Sequence, residues 1–124
     1  MKTALATGSG RGIGRSIATR LASEGYLIIL NYRDDRASAQ SLVDKLPGTG
    51  HLALRADVSD AADAAALVNE AEAAAGRLDV VVNNVGDFVL GSMSAVSAEA
   101  WDAIITSNLS SAFYVSSAAL PGMR

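Results

Sequence analysis

The sequence predicts an α/β fold with a doubly wound parallel sheet, and three observations carry this prediction. Four short β-rich runs alternate along the chain with longer segments in which apolar residues recur at helical spacing. The strands are apolar along nearly their whole length, which is typical of strands buried on both faces. The 124 residues suffice for one such domain. Because each right-handed crossover lays its helix against the sheet, we expect helices on both faces.

The predicted strands cover residues 3–7, 26–31, 51–56 and 78–83, each bounded by Gly, Asp or Asn. Three helices between them each show one apolar face, formed by Ile13, Ile17, Ala18 and Leu21, by Ala39, Leu42, Val43 and Leu46, and by Ala64, Leu67, Val68 and Ala71. Gly25, Pro47-Gly48 and Gly76 follow these patterns as stop signals. Ser59 is the predicted N-cap of the third helix.

After the fourth strand we expect a loop over residues 84–96 and a fourth helix that starts near Ser97 and ends at Pro121-Gly122. Its predicted apolar stripe consists of Trp101, Ile105, Asn108 and Ala112. Asn108 is the polar member, and a buried amide needs hydrogen-bond partners. From the residues alone, the simpler interpretation is a bond to a neighbouring backbone group.

Composition argues against several classes of function. A net charge of −3 gives no general attraction to nucleic acid or to an anionic membrane surface. No apolar run approaches the roughly 18 residues of a membrane span, and no signal-peptide core follows Met1. The chain has no cysteine, and its one histidine, His51, is interpreted as a surface or strand residue without a second ligand residue nearby. We therefore expect a cytoplasmic protein with no metal site.

The first strand runs into a glycine-rich turn, Thr7-Gly8-Ser9-Gly10-Arg11-Gly12-Ile13-Gly14, inside which the first helix begins. Backbone N–H groups at a helix start lack internal partners, so a turn without Cβ atoms lets a pyrophosphate approach them. The alternative is a tight turn that binds nothing. Its place after the first strand of a β-α-β unit favours dinucleotide binding. An ATPase-type phosphate loop is excluded because it needs Gly-Lys-Ser/Thr.

The spacing Thr-Gly-x-x-x-Gly-x-Gly at residues 7–14 resembles that of the short-chain dehydrogenase/reductase family. Three further motifs follow in family order: Asp57-Val58, Asn83-Asn84-Val85-Gly86 and Ser107-Asn108-Leu109. The resemblance covers the whole chain, and residues 108–111 followed by Phe113 are most similar to the 3-oxoacyl-[acyl-carrier-protein] reductase branch. It implies a Rossmann-type fold, of which this chain would hold the N-terminal β-α-β-α-β-α-β-α portion.

The resemblance also implies roles for individual residues. The pyrophosphate turn would consist of Gly8, Ser9, Gly10, Arg11, Gly12, Ile13 and Gly14. Asp57 would bond the adenine amino group while Val58 packs beside the ring, and Asn84 with Gly86 would line the ribose. From the residues alone, Asp57 could instead cap the next turn and Asn83-Asn84 could be an ordinary strand exit. Val85 replaces the usual family Ala and is expected to narrow the ribose side without abolishing binding.

In the family, the asparagine corresponding to Asn108 helps to hold a water in the proton relay behind a catalytic Tyr and Lys. The family's Tyr-x-x-x-Lys is not found here, because Tyr26, Tyr32 and Tyr114 are followed four residues later by Leu30, Arg36 and Ala118. We therefore expect residues 1–124 to be an NADP(H)-binding domain that ends before the proton-transfer groups and is inactive alone.

The predicted function of the complete protein is reduction of a carbonyl, in a ketone or a 3-oxoacyl thioester, by hydride transfer from NADPH. The alternative is a non-catalytic dinucleotide-binding module. A sugar-nucleotide epimerase or dehydratase is disfavoured because those relatives carry the shorter spacing Thr-Gly-x-x-Gly-x-x-Gly. NADP is favoured over NAD because Arg33, with Arg11 close by, stands where an NAD enzyme has an acidic residue. Asp34 and Asp35 either start the second helix or weaken phosphate binding.

The resemblance further implies a dimer or tetramer. In the family, the helix here predicted from Ser97 onward forms much of a four-helix interface. Its expected outer face consists of Ala103, Phe113, Tyr114 and Leu120. We also expect the missing half of the fold to be present as a second chain or as disordered residues, or the edge of the fourth strand to be covered by another copy.

Overall fold

A computed structural model of the chain describes residues 1–10 and 12–124. Its strands are β1 Thr3–Ala6, β2 Leu27–Tyr32, β3 Leu52–Arg55 and β4 Val80–Val82. Its helices are α1 Gly12–Ser23, α2 Arg36–Lys45, α3 Ala61–Ala75, α4 Ala98–Ile105 and α5 Ser111–Met123. All strand pairs are parallel, and the order across the sheet is β3-β2-β1-β4. The predicted doubly wound α/β class is therefore confirmed.

The core consists of two apolar clusters, one on each face of the sheet. Successive residues of β1 point to opposite faces, so that Leu5 packs with α3 and α5 while Ala4 packs with α1 and α2. Ile29 and Ile28 divide in the same way on β2. This arrangement explains why the central strands are apolar at every position rather than at alternate ones.

The helix ends confirm the predicted stop signals but not the predicted cap of α3. Gly25 and Gly76 have φ angles of +92° and +77°, which favour glycine. The N-cap of α3 is Asp60, whose carboxylate accepts the Asp63 N–H at 2.9 Å. Ser59 is therefore not the N-cap, because the carboxylate one residue later satisfies the first turn of the helix.

The fourth predicted helix is one continuous helix with a π-helical turn in its middle. It starts as predicted, with Ser97 accepting the Ala100 N–H at 3.1 Å. The π turn, Thr106–Ser110, separates α4 from α5. The predicted end at Pro121 is wrong, since Pro121 lies inside the last turn and α5 continues to Met123. Arg77 donates to the carbonyl of Met123 at 3.2 Å and so holds this last turn.

The predicted stripe on this helix is also wrong. The buried residues are Ser111, Val115 and Ala119, all on α5. Trp101 and Asn108 are exposed. A π turn adds a residue to one turn of the helix, so a stripe drawn at a constant period of 3.6 changes face there. Within the described residues α4 has no buried side chain.

His51 is buried and lies directly before β3, so of the two interpretations the surface residue is wrong, while its place at a strand start agrees with the structure. It precedes β3, accepts the backbone N–H of Ile28 on Nδ1 at 3.0 Å, and places Nε2 2.7 Å from the carbonyl of Pro47. The imidazole thus joins the start of β2 to the loop after α2, at the end of the sheet opposite the strands' carboxyl ends.

The strand β4 lies at an edge of the described sheet. It pairs with β1 in the register Ala4↔Val80, Leu5↔Val81 and Ala6↔Val82, and its three valines are half-buried. No helix in residues 1–10 and 12–124 is both long and apolar enough to cross a membrane.

Candidate functional site

A cleft of about 450 Å³ lies at the carboxyl ends of the strands. It opens where the strand order reverses between β1 and β4, the position at which sheets of this type bind ligands. Its walls come from the glycine turn, from the exits of β2, β3 and β4, and from the π turn. The lining residues are Gly8, Gly10, Gly12, residues 31–35, Ser38, residues 56–59, residues 84–87 and Ser107.

The glycines of the turn meet different steric needs. Gly8 and Gly12 have φ angles of +58° and +62°, a conformation that side chains rarely adopt. Gly14 lies under the turn, and a Cβ there would be 2.8 Å from the Gly8 carbonyl oxygen. Gly10 has no such constraint, since its Cβ would be 3.5 Å from the nearest atom, the Ala39 nitrogen. Because Gly10 has no side chain, its backbone is accessible from the cleft.

Three of the described turn residues, Ser9, Ile13 and Gly14, do not line the cleft. Ser9 is fully buried, its hydroxyl donates to the Ala6 carbonyl at 2.7 Å, and its N–H donates to the Asn31 carbonyl at 3.2 Å. Ser9 therefore holds the shape of the turn. Ile13 is largely exposed and points away from the lining. Arg11 lies outside the residues that the structure describes.

At the exit of β2, Arg33 lines the cleft and is paired with Asp34. Its Nε lies 2.8 Å from the Asp34 carboxylate, and both side chains are mostly exposed. The hydrogen bond and the charge of Asp34 raise the pKa of the Arg33 guanidinium above its ordinary value. Asp35 instead caps α2 by accepting the Ser38 N–H at 3.0 Å. The two carboxylates thus have separate roles, one at the helix start and one beside Arg33.

At the exit of β3, the Asp57 carboxylate accepts both the hydroxyl and the N–H of Ser59. These bonds, the hydroxyl first, lower the pKa of Asp57, burial opposes them, and the charge of Arg33 adds to the lowering. These bonds close a turn before α3, whose N-cap is Asp60, so Asp57 does not itself cap the helix. Val58 is buried in the core beside Leu5 while also reaching the cleft wall.

The exit of β4 is tied to the glycine turn by side-chain hydrogen bonds. Thr7 accepts the Asn84 N–H at 3.0 Å on its hydroxyl, and the Asn84 amide donates to the Gly8 carbonyl at 3.0 Å. Val85 packs against the turn, since a Cβ on Gly8 would lie 2.9 Å from its Cγ2. The exits of β1 and β4 are therefore one connected unit.

Asn108 is exposed, which corrects the expected burial. Its Nδ2 donates to the carbonyls of Asp87 at 2.8 Å and of Ile104 at 2.9 Å. It thus fastens the loop after β4 to the helix, while the neighbouring Ser107 lines the cleft. The π turn at this point is marked by a bond from the Ser111 N–H to the Thr106 carbonyl, five residues back. Such turns are frequent at functional sites.

No tyrosine that could donate a proton in the described cleft is paired with a lysine. Tyr32 is the tyrosine in its lining, and neither of the chain's lysines, Lys2 and Lys45, reaches it. The described residues also contain no group of three His, Cys, Asp or Glu side chains that could hold a metal ion.

Sequence reasoning missed two polar groups of this site. Asn31 is buried at the end of an apolar strand, and Ser107 belongs to a family motif but is not predicted to line the site. The available signal for Asn31 was its type, because a polar residue that ends a buried strand needs partners at the strand's carboxyl end.

Comparison with known proteins agrees with the motifs. The family model for short chain dehydrogenases matches residues 2–124. A 3-oxoacyl-[acyl-carrier-protein] reductase, FabG, of Staphylococcus aureus is 39% identical over 124 residues, which are 98% of this chain and 50% of that protein. The chain therefore spans about half the length of this relative.

Solved structures show the same likeness. A variant of the short-chain dehydrogenase/reductase of Serratia marcescens has a TM-score of 0.94 at 34% identity, over 99% of this chain and 51% of that one. A short chain dehydrogenase of Burkholderia cenocepacia, solved in complex with NADP, has a TM-score of 0.90 at 32% identity, over 98% and 51%. Since the family model spans nearly every residue and the fold agrees, the chain belongs to the short-chain dehydrogenase family.

Proposed function

We propose that this chain is the NADP(H)-binding domain of an oxidoreductase that reduces a carbonyl to a hydroxyl by hydride transfer. The observation that carries the proposal is Arg33, which lines the cleft at the exit of β2, where an NAD enzyme of this fold places an acidic residue. A guanidinium suits a 2′-phosphate because it donates several hydrogen bonds from a fixed plane. The Burkholderia relative, solved with NADP, supports the same choice of cofactor.

Within this proposal, different parts of the cleft bind different parts of the dinucleotide. The backbone at Gly10 and Gly12 faces the pyrophosphate, with Gly8 and Gly14 shaping the turn, and Arg11 is a further candidate partner of the 2′-phosphate. The adenine lies beside Asp57 and Val58. The ribose next to the nicotinamide lies beside Asn84 and Gly86. Asn108 acts through the loop it holds and belongs to the proton relay of the complete protein.

The substrate that we propose is a ketone or a 3-oxoacyl thioester, on the strength of the name of the Staphylococcus aureus relative. The alternative, a module that binds a dinucleotide without reducing anything, is supported by the lack of a lysine at the described cleft. These two functions share the nucleotide site and differ only in chemistry. The cytoplasmic location expected from the sequence stays a prediction.

We further propose that the protein is a homo-oligomer assembled through α4 and α5. Four large apolar residues on this helix are exposed: Trp101, Leu109, Phe113 and Leu120. Exposed apolar patches of this kind commonly mark interfaces. Tyr114, which the sequence placed on the outer face, packs against the core instead, beside Val115. The outer face is thus defined by Leu109 and Phe113 rather than by Tyr114.

Nucleotide fragments test the cofactor without requiring chemistry. Adenosine 2′,5′-bisphosphate and 5′-AMP share the adenosine and the 5′-phosphate and differ in the 2′-phosphate. We expect the full-length protein to prefer the bisphosphate, and Arg33→Ala to weaken its binding by roughly tenfold to a hundredfold, because a charge-assisted hydrogen bond is lost. Binding of 5′-AMP is expected to change little.

The matched control is Arg20→Ala, which removes an exposed arginine paired with Glu24 on α1. Isothermal titration of both ligands against the three proteins gives the comparison. An Arg33→Ala protein that keeps the preference for the 2′-phosphate would overturn the assignment of NADP(H). Binding of neither nucleotide by the unsubstituted protein would overturn the proposed function.

A further inference from the structure

We propose that Asn31 is a positioning residue that holds three parts of the nucleotide cleft in register, an inference that rests on the function proposed above. Asn31 is the penultimate residue of β2 and is 1% exposed, although the strand around it is apolar. A buried amide with unpaired groups would be costly, so its partners are part of the fold. All of these partners lie at the carboxyl end of the sheet.

The side chain of Asn31 joins the exit of β1 to the exit of β3. Its Oδ1 accepts the N–H of Gly8 at 3.2 Å, in the glycine turn. Its Nδ2 donates to the carbonyl of Ala56 at 3.1 Å, directly before Asp57. The orientation of the amide is fixed by these partners, because an N–H must face the oxygen and a carbonyl must face the NH₂ group.

The main chain of Asn31 adds a second bond to the same turn. Its carbonyl accepts the N–H of Ser9 at 3.2 Å. The amides of Gly8 and Ser9 are therefore both bonded to one residue beneath the turn. These two bonds hold the backbone at Gly8 and Ser9, directly before Gly10, which lines the cleft.

The strand end that carries Arg33 is held by the same residue. Arg33 follows Asn31 by two positions, and the Nδ2 of Asn31 donates to the carbonyl of Tyr32 at 3.3 Å, which also accepts the Ala56 N–H at 2.9 Å. The proposed pyrophosphate, adenine and 2′-phosphate contacts thus share one buried anchor. Sites built on such a rigid shell lose affinity when the shell is loosened, even where no contact to the ligand is removed.

An amide is the side chain that fits this task, because it offers an acceptor and a donor on one short planar group. Leucine has a similar volume but neither function. An ionised carboxyl accepts the Gly8 N–H but faces the Ala56 carbonyl with a second acceptor. When protonated, the same carboxyl can donate to Ala56, so Asn31→Asp restores the missing bond at low pH.

His51, which precedes β3 and contacts the start of β2, provides a control at the opposite end of that strand. It is buried and bridges two backbone groups, the Ile28 N–H and the Pro47 carbonyl, at the end of β2 that lies away from the cleft. Substitution by leucine removes four side-chain hydrogen bonds at Asn31 and two at His51. His51→Leu and Asn31→Leu therefore both remove hydrogen bonds of a buried side chain, at opposite ends of β2.

The experiment measures the dissociation constant of adenosine 2′,5′-bisphosphate for the full-length protein and for Asn31→Leu, Asn31→Asp and His51→Leu, together with Tm. We expect Asn31→Leu to weaken binding at least about tenfold, because two buried groups lose their partners. His51→Leu is expected to lower Tm comparably while it changes the dissociation constant less than about threefold.

The pH profile separates positioning from a general loss of structure. A buried carboxyl has a raised pKa, so Asn31→Asp is expected to bind at least about tenfold more weakly than the unsubstituted protein near pH 8. The ratio of the two constants is expected to approach one near pH 5.5. Taking the ratio at each pH removes the titration of the ligand's own phosphates.

The outcomes are distinct. A folded Asn31→Leu protein that binds normally overturns the inference, as does an Asn31→Asp ratio that does not change with pH. Equal losses in Asn31→Leu and His51→Leu overturn it as well. If Asn31→Leu does not fold, the Asn31→Asp profile decides. Binding that is absent in the unsubstituted protein overturns the proposed function together with this inference.

Discussion

The two central strands, β1 and β2, and the edge strand β4 differ in how completely the surrounding chain covers them. Leu5, Ile29 and Leu30 on β1 and β2 are fully buried between helices on both faces. The valines of β4 are half-buried, and β4 has one neighbour in the described sheet. A strand left at an edge presents unpaired N–H and C=O groups that favour association.

The loops that leave these strands differ in the same way. The turn after β1 is tied to β2 and β4 through hydrogen bonds of Gly8 and Ser9. The loop after β4 carries Phe88 and Leu90 with 80% and 86% exposure. The part of the cleft formed by the glycine turn and the exits of β2 and β3, called the finished side below, is thus held by hydrogen bonds within the described chain, while the loop after β4 leaves large apolar side chains exposed. Each prediction below tests one part of this difference.

The largest expected effect is the loss of turnover. Residues 1–124 alone are expected to show no oxidation of NADPH with an acetoacetyl thioester or a simple ketone, because the described cleft holds no tyrosine paired with a lysine. General acid catalysis is typically worth about 10²–10⁴-fold. Absorbance at the NADPH band measures the rate, with the intact Staphylococcus aureus relative as the positive control. Turnover by the chain alone would contradict this division of the cleft.

The second prediction concerns the finished side, where Gly14 and Gly10 form a matched pair. Gly14→Ala places a Cβ 2.8 Å from backbone atoms of Gly8 and Ser9. We expect it to lower the free energy of unfolding by about 1–3 kcal/mol, as overpacking does. Gly10→Ala meets its nearest atom, in Ala39, at 3.5 Å and should change stability by less than about 1 kcal/mol. Denaturant unfolding without ligand compares them, and equal losses would show that the turn is less tightly packed than described.

The difference between the two regions also explains what could be predicted from sequence. The alternation of strands and helices along the chain and the glycine turn follow from local signals: apolar runs, a helix period and glycines at fixed offsets. These signals are strongest where the chain packs against itself, as at Leu5 and Ile29. The predicted ends at Gly25 and Gly76 agree with the structure because a positive φ is a property of the residue itself.

Most of the wrong predictions concern the helix after β4, for which the sequence analysis uses a constant helical period. The π turn at Thr106–Ser110 moves the buried stripe to Val115 and Ala119, and no residue type announces such a turn. Asn108 could be recognised as a member of a motif, but its exposure depends on that turn. The role of Asn31 could not be predicted for a different reason. Its partners Gly8 and Ala56 lie 23 and 25 residues away in the sequence and contact it only in the folded sheet.

The third prediction concerns the exposed face of α4 and α5. Phe113→Glu replaces an apolar side chain that is 65% exposed and is expected to raise the dissociation constant of the oligomer by at least roughly tenfold. Ser117→Glu adds the same charge at another exposed position of α5 and is the control. Sedimentation velocity of the full-length protein measures the distribution. A stable monomer before any substitution would contradict the proposed interface.

The smallest expected effect is a pH dependence at Asp57, on the finished side. The Ser59 hydroxyl, with help from the Ser59 N–H and Arg33, holds the pKa of the Asp57 carboxyl below its ordinary value, although burial opposes this. A carboxyl with a lowered pKa in the folded state stabilises the fold at every pH above its unfolded pKa of about 3.9. That contribution is lost as the pH falls from this value through the folded-state pKa.

Asp57→Asn is therefore expected to be less stable than the unsubstituted protein near pH 7, with a difference that shrinks below about pH 4. Asp102→Asn, at an exposed carboxylate on α4, controls for the removal of one negative charge. Denaturant unfolding across the acidic range gives both differences, and the effect is small because Asp57 is only partly buried. A difference that grew as the pH fell would mean that folding favours the protonated carboxyl, and the exit of β3 would then not be organised around an anion bonded to Ser59.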